Sequence, residues 1–192
     1  MIHKSKYLGF SALLLLSSPL IAAPHSNPVL QAIDDAFPGD LINDPTVIDW
    51  VFYGNSKKAK QVEAPETPGK YAMQMQVAKK GANKYDIGLN VPLMSDIVSG
   101  HVINVAFWAR VSKAETDDGK GDLQLRINEN KEPYAGFGEV NVRPGSEWVL
   151  HQVQMRADRN IAKKDAVLGI QLAGAKQTIE IGQIYVLDLG AK

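Results

Sequence analysis

Three observations in the sequence predict an all-β sandwich. About eight or nine short segments alternate apolar with polar residues, clusters rich in glycine and proline separate them, and no segment predicts a long helix. The 192 residues suffice for one domain with a substantial core, and we find no repeat of fixed period. We therefore expect one β-sandwich domain over residues 24–192, preceded by a leader over residues 1–23.

The expected leader has the features of a cleavable signal peptide. Lys4 and Lys6 precede the apolar run LGFSALLLLSSPLIAA, which is too short for a membrane-spanning helix. The mature protein would then be secreted or periplasmic, without membrane contact, and the chain has no cysteine for lipid attachment. Because disulfides are also impossible, stability has to come from apolar burial or from a bound metal ion.

The net charge argues against a nucleic-acid partner. Two of the 21 basic residues and none of the 21 acidic residues lie in the leader. The mature chain therefore has 19 basic and 21 acidic residues and a net charge of about −2. No basic stripe is visible that would bind phosphates.

The expected strands follow one another with turn signals between them. Residues 24–44 contain several proline and glycine breakers, which predict a loose lead-in with at most one turn of helix near residues 29–37. The segment 130–139, which reads NKEPYAGFGE, has too many glycines to be a regular strand throughout. In chain order the expected strands cover residues 46–53, 59–63, 71–79, 85–93, 103–111, 123–128, 148–158, 166–174 and 177–190.

The clearest alternation lies in the segment that reads HVINVAFWARV, residues 101–111. Ile103, Val105 and Phe107 fall on one side of an extended strand, and this apolar side has to lie on a core. Trp108 and Arg110 fall on the other side. That side either contacts a ligand or is covered by a loop or by the N-terminal segment.

The sequence lacks the patterns of common hydrolases. It contains no G-x-S-x-G elbow and no cysteine nucleophile, and the spacing of His25, His101 and His151 does not match a known metal motif. The acids crowd into turns, whereas a catalytic pair is expected on strands that face a cleft. We therefore expect no enzymatic activity and no cofactor.

The outward sides of several strands carry amides, guanidinium groups and a large ring, with few Lys or Glu. Amides and guanidinium groups exchange hydrogen bonds with sugar hydroxyls, and the apolar face of a pyranose stacks on an aromatic ring. An ordinary solvated face is the alternative interpretation. By strand parity this set comprises Gln74, Gln76, Asn90, Asn104, Trp108, Arg110, Gln124, Arg126, Asn128 and Gln171.

The order of several motifs resembles carbohydrate-binding modules of the family 4/9 type. These motifs are W-x-x-Y-G at residues 50–54, GKYAM at 69–73, VAFWAR at 105–110, a turn followed by Trp148, and KQTIEIGQIYVLDLG at 176–190. The resemblance covers nearly the whole mature chain. It implies a jelly-roll β-sandwich of the galactose-binding-like kind.

The resemblance also implies a function and a site. It implies a protein that binds a poly- or oligosaccharide across one sheet without catalysis, commonly as an accessory to a polysaccharide-degrading enzyme. Many family members hold a structural calcium between an early Glu and an Asp near the last strand, where this chain has Gly182 and Gln183. The ligand-binding candidates carried over are Trp108, Arg110, Gln124, Arg126 and Gln171 on the sheet, with Tyr85, Tyr134 and Trp50 as platforms at its rim.

Two other functions remain compatible with the sequence. An envelope protein that binds other proteins would have Trp108 covered by its own chain or by a second copy. A glycan hydrolase or esterase would have two carboxylates that approach each other in a cleft.

Overall fold

The computed structural model of the chain describes residues 25–55 and 57–191. The expected signal peptide at residues 1–23 lies outside the described residues. The elements in chain order are α1 Pro28–Asp34, β1 Asp40–Leu41, β2 Val51–Tyr53, β3 Lys57–Glu63, β4 Tyr71–Val77, a 3-10 turn Lys84–Asp86, β5 Gly88–Pro92, β6 His101–Ala114, β7 Leu123–Glu129, β8 Gly136–Val142, β9 Val149–Arg156, β10 Ala166–Gln171 and β11 Gln177–Ala191.

The strands form two antiparallel sheets. The six-stranded sheet has the order β3-β4-β11-β6-β9, with β1 added beside β11, and the five-stranded sheet has the order β2-β5-β10-β7-β8. The prediction of an all-β sandwich is therefore confirmed. Strands β6 and β7 follow each other in the chain but belong to different sheets, and this division decides which predicted site residues can meet.

The core lies between the two sheets. Phe107, Val105 and Met75 reach it from the six-stranded sheet, and Leu89 and Leu168 reach it from the five-stranded sheet, all without solvent exposure. Burying a side chain of this size contributes about 1.5–3 kcal/mol, so the core accounts for a large part of the folding free energy. The alternation of β6 is as predicted.

The outer face of the six-stranded sheet is partly covered by the lead-in segment. Leu30 of α1 and Leu41 of β1 pack on Leu187 of β11. The Asn43 amide fastens this segment, because its Nδ2 donates to the Ile184 carbonyl at 2.9 Å and its Oδ1 accepts from the Val186 amide at 2.7 Å. One layer of chain therefore already lies on this face.

Three predicted elements differ from the structure. The helix Pro28–Asp34 is longer than the single turn expected, and it begins with Asn27 as N-cap followed by a proline. Residues 46–53 form a strand only from Val51 onward. The strand expected at residues 85–93 begins at Gly88, because Lys84–Asp86 form a 3-10 turn. No helix among the described residues is long and apolar enough to cross a membrane.

Candidate functional site

A groove of about 810 Å³ lies on the outer face of the five-stranded sheet. Its floor comes from β5, β10 and β7, and its walls come from the 3-10 turn and from the segment that precedes β8. The lining residues are Val51, Tyr53, Tyr85, Asn90, Arg126, Asn128, Asn130, Pro133, Tyr134, Ala135, Gly136, Arg159 and Gln171.

The strand register arranges the groove floor in rows. In one row, Gly169 of β10 lies between Asn90 of β5 and Arg126 of β7. In the next row, Gln171 lies between Gly88 and Gln124. Outward side chains two residues apart on each strand therefore form a grid of amide and guanidinium groups.

Two glycines keep this floor low. A Cβ atom on Gly169 would lie 2.9 Å from the Asn128 Oδ1 and 3.5 Å from the Asn90 Oδ1. A Cβ atom on Gly88 would lie 2.5 Å from the Tyr53 hydroxyl oxygen. Because van der Waals contacts are longer than this, the absence of side chains at both positions lets the polar groups converge over the floor.

Two tyrosines flank the groove and face the solvent. Tyr85 is 59% exposed and Tyr134 is 53% exposed, so both rings offer a surface to a ligand. Tyr134 has a φ angle of 56°, which bulky residues rarely adopt. Its carbonyl accepts a hydrogen bond from Nη2 of Arg126 at 3.2 Å, so the groove wall is tied to the floor.

Arg126 lies in the groove with part of its hydrogen-bonding capacity unused. Its Nη1 is 3.7 Å from the Glu139 carboxylate, and its Nε is buried without a hydrogen-bond partner among the described residues. Burial raises the pKa of Tyr53 to about 12, although the positive charge of Arg126 acts in the opposite direction. The Tyr53 hydroxyl is therefore neutral near pH 7 and can donate a hydrogen bond.

Amides complete the floor. The Asn90 Nδ2 donates to the Asn130 Oδ1 at 3.0 Å, and the Asn128 Nδ2 donates to the Glu129 carbonyl at 2.8 Å. Gln171 is only 5% exposed at the base of the groove. These groups are held before any ligand arrives, which lowers the entropy cost of binding.

Trp108 and Arg110 do not belong to this groove. They lie on β6, on the outer face of the six-stranded sheet, so the expectation that the tryptophan and the arginines share one open surface is wrong. Arg110 donates from Nε to Glu180 at 2.7 Å and lies over the Trp148 ring at 4.9 Å. Trp108 is half-buried, and a Cβ atom on the neighbouring Gly182 would lie 3.2 Å from its Cβ.

Glu180 makes the Arg110 contact a structural one. Glu180 is 5% exposed and also accepts a hydrogen bond from the Gln74 Nε2 at 2.8 Å. Its buried charge requires the guanidinium, because an unpaired carboxylate costs several kcal/mol there. Arg110 is therefore engaged within the fold and is poorly placed to bind a ligand.

Trp50 belongs to the core. It is 9% exposed, and its ring lies 6.3 Å from that of Phe52. The interpretation of Trp50 as a rim platform is therefore wrong, because its ring packs in the core between the sheets. Of the predicted residues, the five-stranded sheet brings together Tyr85, Gln124, Arg126, Tyr134 and Gln171.

A second cleft, of about 720 Å³, lies on the six-stranded sheet beside the lead-in segment. Val47, Ile48 and Tyr71 line it with apolar surface, and Gln61 and Gln183 add amides. Among the described residues that line the two clefts, Asp44 is the only acid, and it lies in the second cleft. A pair of carboxylates suited to glycoside hydrolysis is therefore not brought together in either cleft.

The described residues do not fit the calcium site implied by the family resemblance. In the part of the chain that the structure describes, no group of three or more His, Asp or Glu side chains is arranged so that it could hold a metal ion. Gly182 lies beside Trp108 and Thr67 and offers no carboxylate. We derive no role for a metal ion.

Several groove residues were not among the predicted candidates. Strand parity already placed Asn90 and Asn128 on outward faces, and Tyr53 follows an aromatic run, so these three had a signal in the sequence. Asn130 and Arg159 come from loops, where no periodicity indicates which way a side chain points.

Comparisons with known proteins agree with the fold. A scan against protein-family models finds no match, and neither does a search of curated proteins. Solved structures do match. One is a family 4 carbohydrate-binding module with 18% identity and a TM-score of 0.54, and the match covers 72% of this chain and 94% of that chain.

Two further matches have similar quality. The CBM22-1 xylan-binding domain from Paenibacillus barcinonensis has 12% identity and a TM-score of 0.54, with 81% of this chain and 98% of that chain covered. The second N-terminal cellulose-binding domain of Cellulomonas fimi β-1,4-glucanase C has 15% identity and a TM-score of 0.53, with 79% and 92% covered. The chain therefore has the jelly-roll fold of carbohydrate-binding modules.

Proposed function

We propose that this protein binds a poly- or oligosaccharide in the groove of the five-stranded sheet and performs no covalent chemistry on it. The observation that carries the proposal is the pair of exposed tyrosines, Tyr85 and Tyr134, beside a floor of fixed amides and a guanidinium. Two similar structures, a xylan-binding and a cellulose-binding domain, support the same class of ligand.

The chemistry of the groove suits a pyranose ring. The apolar C–H face of the sugar stacks on a tyrosine ring, and the ring hydroxyls exchange hydrogen bonds with Asn90, Asn128 and Gln171. Each of these hydrogen bonds replaces one with water, so the net gain for each is about 0.5–1.5 kcal/mol. We expect dissociation constants in the micromolar to millimolar range, on the order of −4 to −8 kcal/mol.

The conformation of Tyr134 also favours a binding role. A left-handed φ on a residue with a large side chain costs about 1–3 kcal/mol, and such strain is concentrated at ligand sites. Here it presents an exposed ring beside the groove, and the hydrogen bond from Arg126 to the Tyr134 carbonyl helps to hold it. A strained segment that displays an aromatic ring to solvent is better explained by a ligand than by packing.

Affinity gel electrophoresis of residues 24–192 on a panel of polysaccharides tests the proposal. At least one glycan should retard the protein, and Arg126→Ala should weaken that binding by about 1–3 kcal/mol with the fold intact. Arg143→Ala is the matched control, because Arg143 pairs with Asp118 on an exposed surface away from the groove lining. Equal retardation of both variants and the wild type would refute the site.

If no glycan retards the protein in the gel, the result would favour the alternative function, in which the β-sandwich binds another protein. Exposed Val47, Ile48 and Tyr71 in the second cleft would then be the apolar contacts to examine. Capture of a defined protein, lost on Ile48→Asp, would support that function.

We also propose that the protein acts outside the cytoplasm and assists a polysaccharide-degrading enzyme. The features of residues 1–23 support export, and the sugar-binding groove supports an accessory role. Fractionation of expressing cells, with mass determination of the mature N-terminus, tests export. Retention of the protein in the cytoplasm at full length would contradict it.

A further inference from the structure

We infer that the groove of the five-stranded sheet takes an acidic polysaccharide, one whose sugar units carry carboxylates, as uronic acids do. This inference rests on the proposed function and concerns the same site. It follows from the charge of the groove and from the unused hydrogen-bonding capacity of one arginine.

The charged residues that line the groove are both basic, and their acidic neighbours Glu139 and Asp158 lie outside the lining. Arg126 and Arg159 are its two ionised lining residues, and no aspartate or glutamate lines it among the residues that the structure describes. The rest of the lining is amide, aromatic or apolar. The chain as a whole has equal numbers of acidic and basic residues, so a groove with only positive charges departs from its average. Such a concave surface attracts an anionic ligand.

Arg126 is the residue best prepared for a carboxylate. It reaches Glu139 only at 3.7 Å, which is longer than a hydrogen bond, and the Glu139 side chain is 62% exposed. Its buried Nε has no partner among the described residues. A ligand carboxylate could accept from the two terminal nitrogens together, because Nη2 uses one of its two hydrogens on the Tyr134 carbonyl and Nη1 makes only the long contact with Glu139. Such paired, charge-assisted hydrogen bonds are the strong ones.

Arg159 can turn to a ligand at little cost. Its Nε donates to Asp158 at 2.7 Å, but both side chains are exposed, at 43% and 59%. An exposed ion pair between sequence neighbours contributes little free energy, so exchange of Asp158 for a ligand carboxylate is easy. Arg126 lines the groove from β7, and Arg159 lines it from the loop before β10.

A neutral sugar would not use these groups as fully. Hydroxyls satisfy amides well, and Asn90, Asn128 and Gln171 already supply amides for them. The rigid fork of a guanidinium instead matches the planar carboxylate in geometry and charge. The groove therefore has more cationic capacity than a neutral chain of hydroxyls requires.

Calorimetric titration with matched glycans tests the inference. The probes are oligomers of polygalacturonate and of alginate, carboxyl-reduced polygalacturonate, which is neutral but has the same linkages, and neutral xylan and β-glucan oligomers. We expect one of the two uronates to bind about 10-fold or more tightly than any neutral probe. Added salt should weaken the uronate complex and leave neutral binding nearly unchanged.

Variants assign the effect to the groove. Arg126→Gln and Arg159→Gln should each lower uronate affinity by about 10-fold. Arg126→Lys, which keeps the charge but loses the fork, should fall between Arg126→Gln and the wild type. Arg143→Gln, on an exposed ion pair elsewhere, should leave the affinity unchanged. Thermal unfolding of each variant excludes loss of the fold as the cause.

The possible failures are distinguishable. Neutral oligomers that bind as tightly as the uronates would overturn the acidic ligand while the proposed glycan-binding function stands. Absence of binding to every glycan would overturn both. Uronate binding that neither Arg126→Gln nor Arg159→Gln weakens would place the ligand elsewhere and overturn the inference.

Discussion

Gly169→Val should block the floor of the groove by its added volume. Gly169 lies on the floor between Asn90 and Arg126, and an added Cβ would come within 2.9 Å of the Asn128 Oδ1. The Asn128 amide has to turn away, and the two methyl groups of valine then occupy the space over the floor. Losing the hydrogen bonds of the Asn128 amide to the ligand and the close approach of the ligand should weaken glycan binding by about 1–3 kcal/mol, or roughly 5- to 150-fold.

The same substitution should cost little stability. Glycine inside a strand is destabilising by about 0.5–1 kcal/mol relative to alanine, and valine also favours strands. This gain in stability offsets the cost of moving the Asn128 side chain. Calorimetric titration with the best glycan ligand and thermal unfolding together measure both effects. Gly182→Ala on the six-stranded sheet is the control. The added Cβ would lie 3.2 Å from the Trp108 Cβ and 3.4 Å from the Thr67 Cγ2. Wild-type affinity in a folded Gly169→Val protein would show that the ligand does not cross this floor.

Three further outcomes are expected. Tyr85→Ala and Tyr134→Ala should each weaken glycan binding by about 1–2 kcal/mol in titration, whereas Tyr71→Ala, which removes an exposed ring on the other sheet, should not. Trp108→Ala should lower the free energy of unfolding by about 1–3 kcal/mol in denaturant titration and leave affinity unchanged, and a selective loss of binding would contradict this. Burial lowers the pKa of His151, so its proton is bound more weakly in the folded state than in the unfolded state. Stability should be full above pH 6.5 or so and fall as the pH drops below it, and His151→Gln should flatten this fall in melting curves.

The sequence predicted the class of fold well because alternation is a local property. In β6, β7 and β10 the period of two separates core-facing from outward side chains, and the burial of Phe107, Leu125 and Ile170 agrees with it. Alternation with a period of two does not hold for Tyr85, because this residue lies in the 3-10 turn before β5. An extended strand over residues 85–93 would place Tyr85 on the same side as the buried Ile87 and Leu89. A helical turn has a different period, and the ring is exposed.

The composition of the site was harder to predict for a different reason. Parity states whether a side chain faces outward, but a sandwich has two outward faces, and parity does not say which sheet a strand joins. Trp108 on β6 and Arg126 on β7 are both outward and close in sequence, yet they lie on opposite faces of the molecule. Sheet membership depends on long-range pairing, such as that of β7 with β10, which no local pattern records.

The position of β11 has a consequence for how the protein is made. This strand lies between β4 and β6, and also holds β1, yet it is translated after all three. Until the ribosome has produced β11, no strand connects β4 with β6, and the six-stranded sheet is incomplete. The six-stranded sheet can therefore be completed only after the last strand has been made, when β11 pairs with β4 and β6.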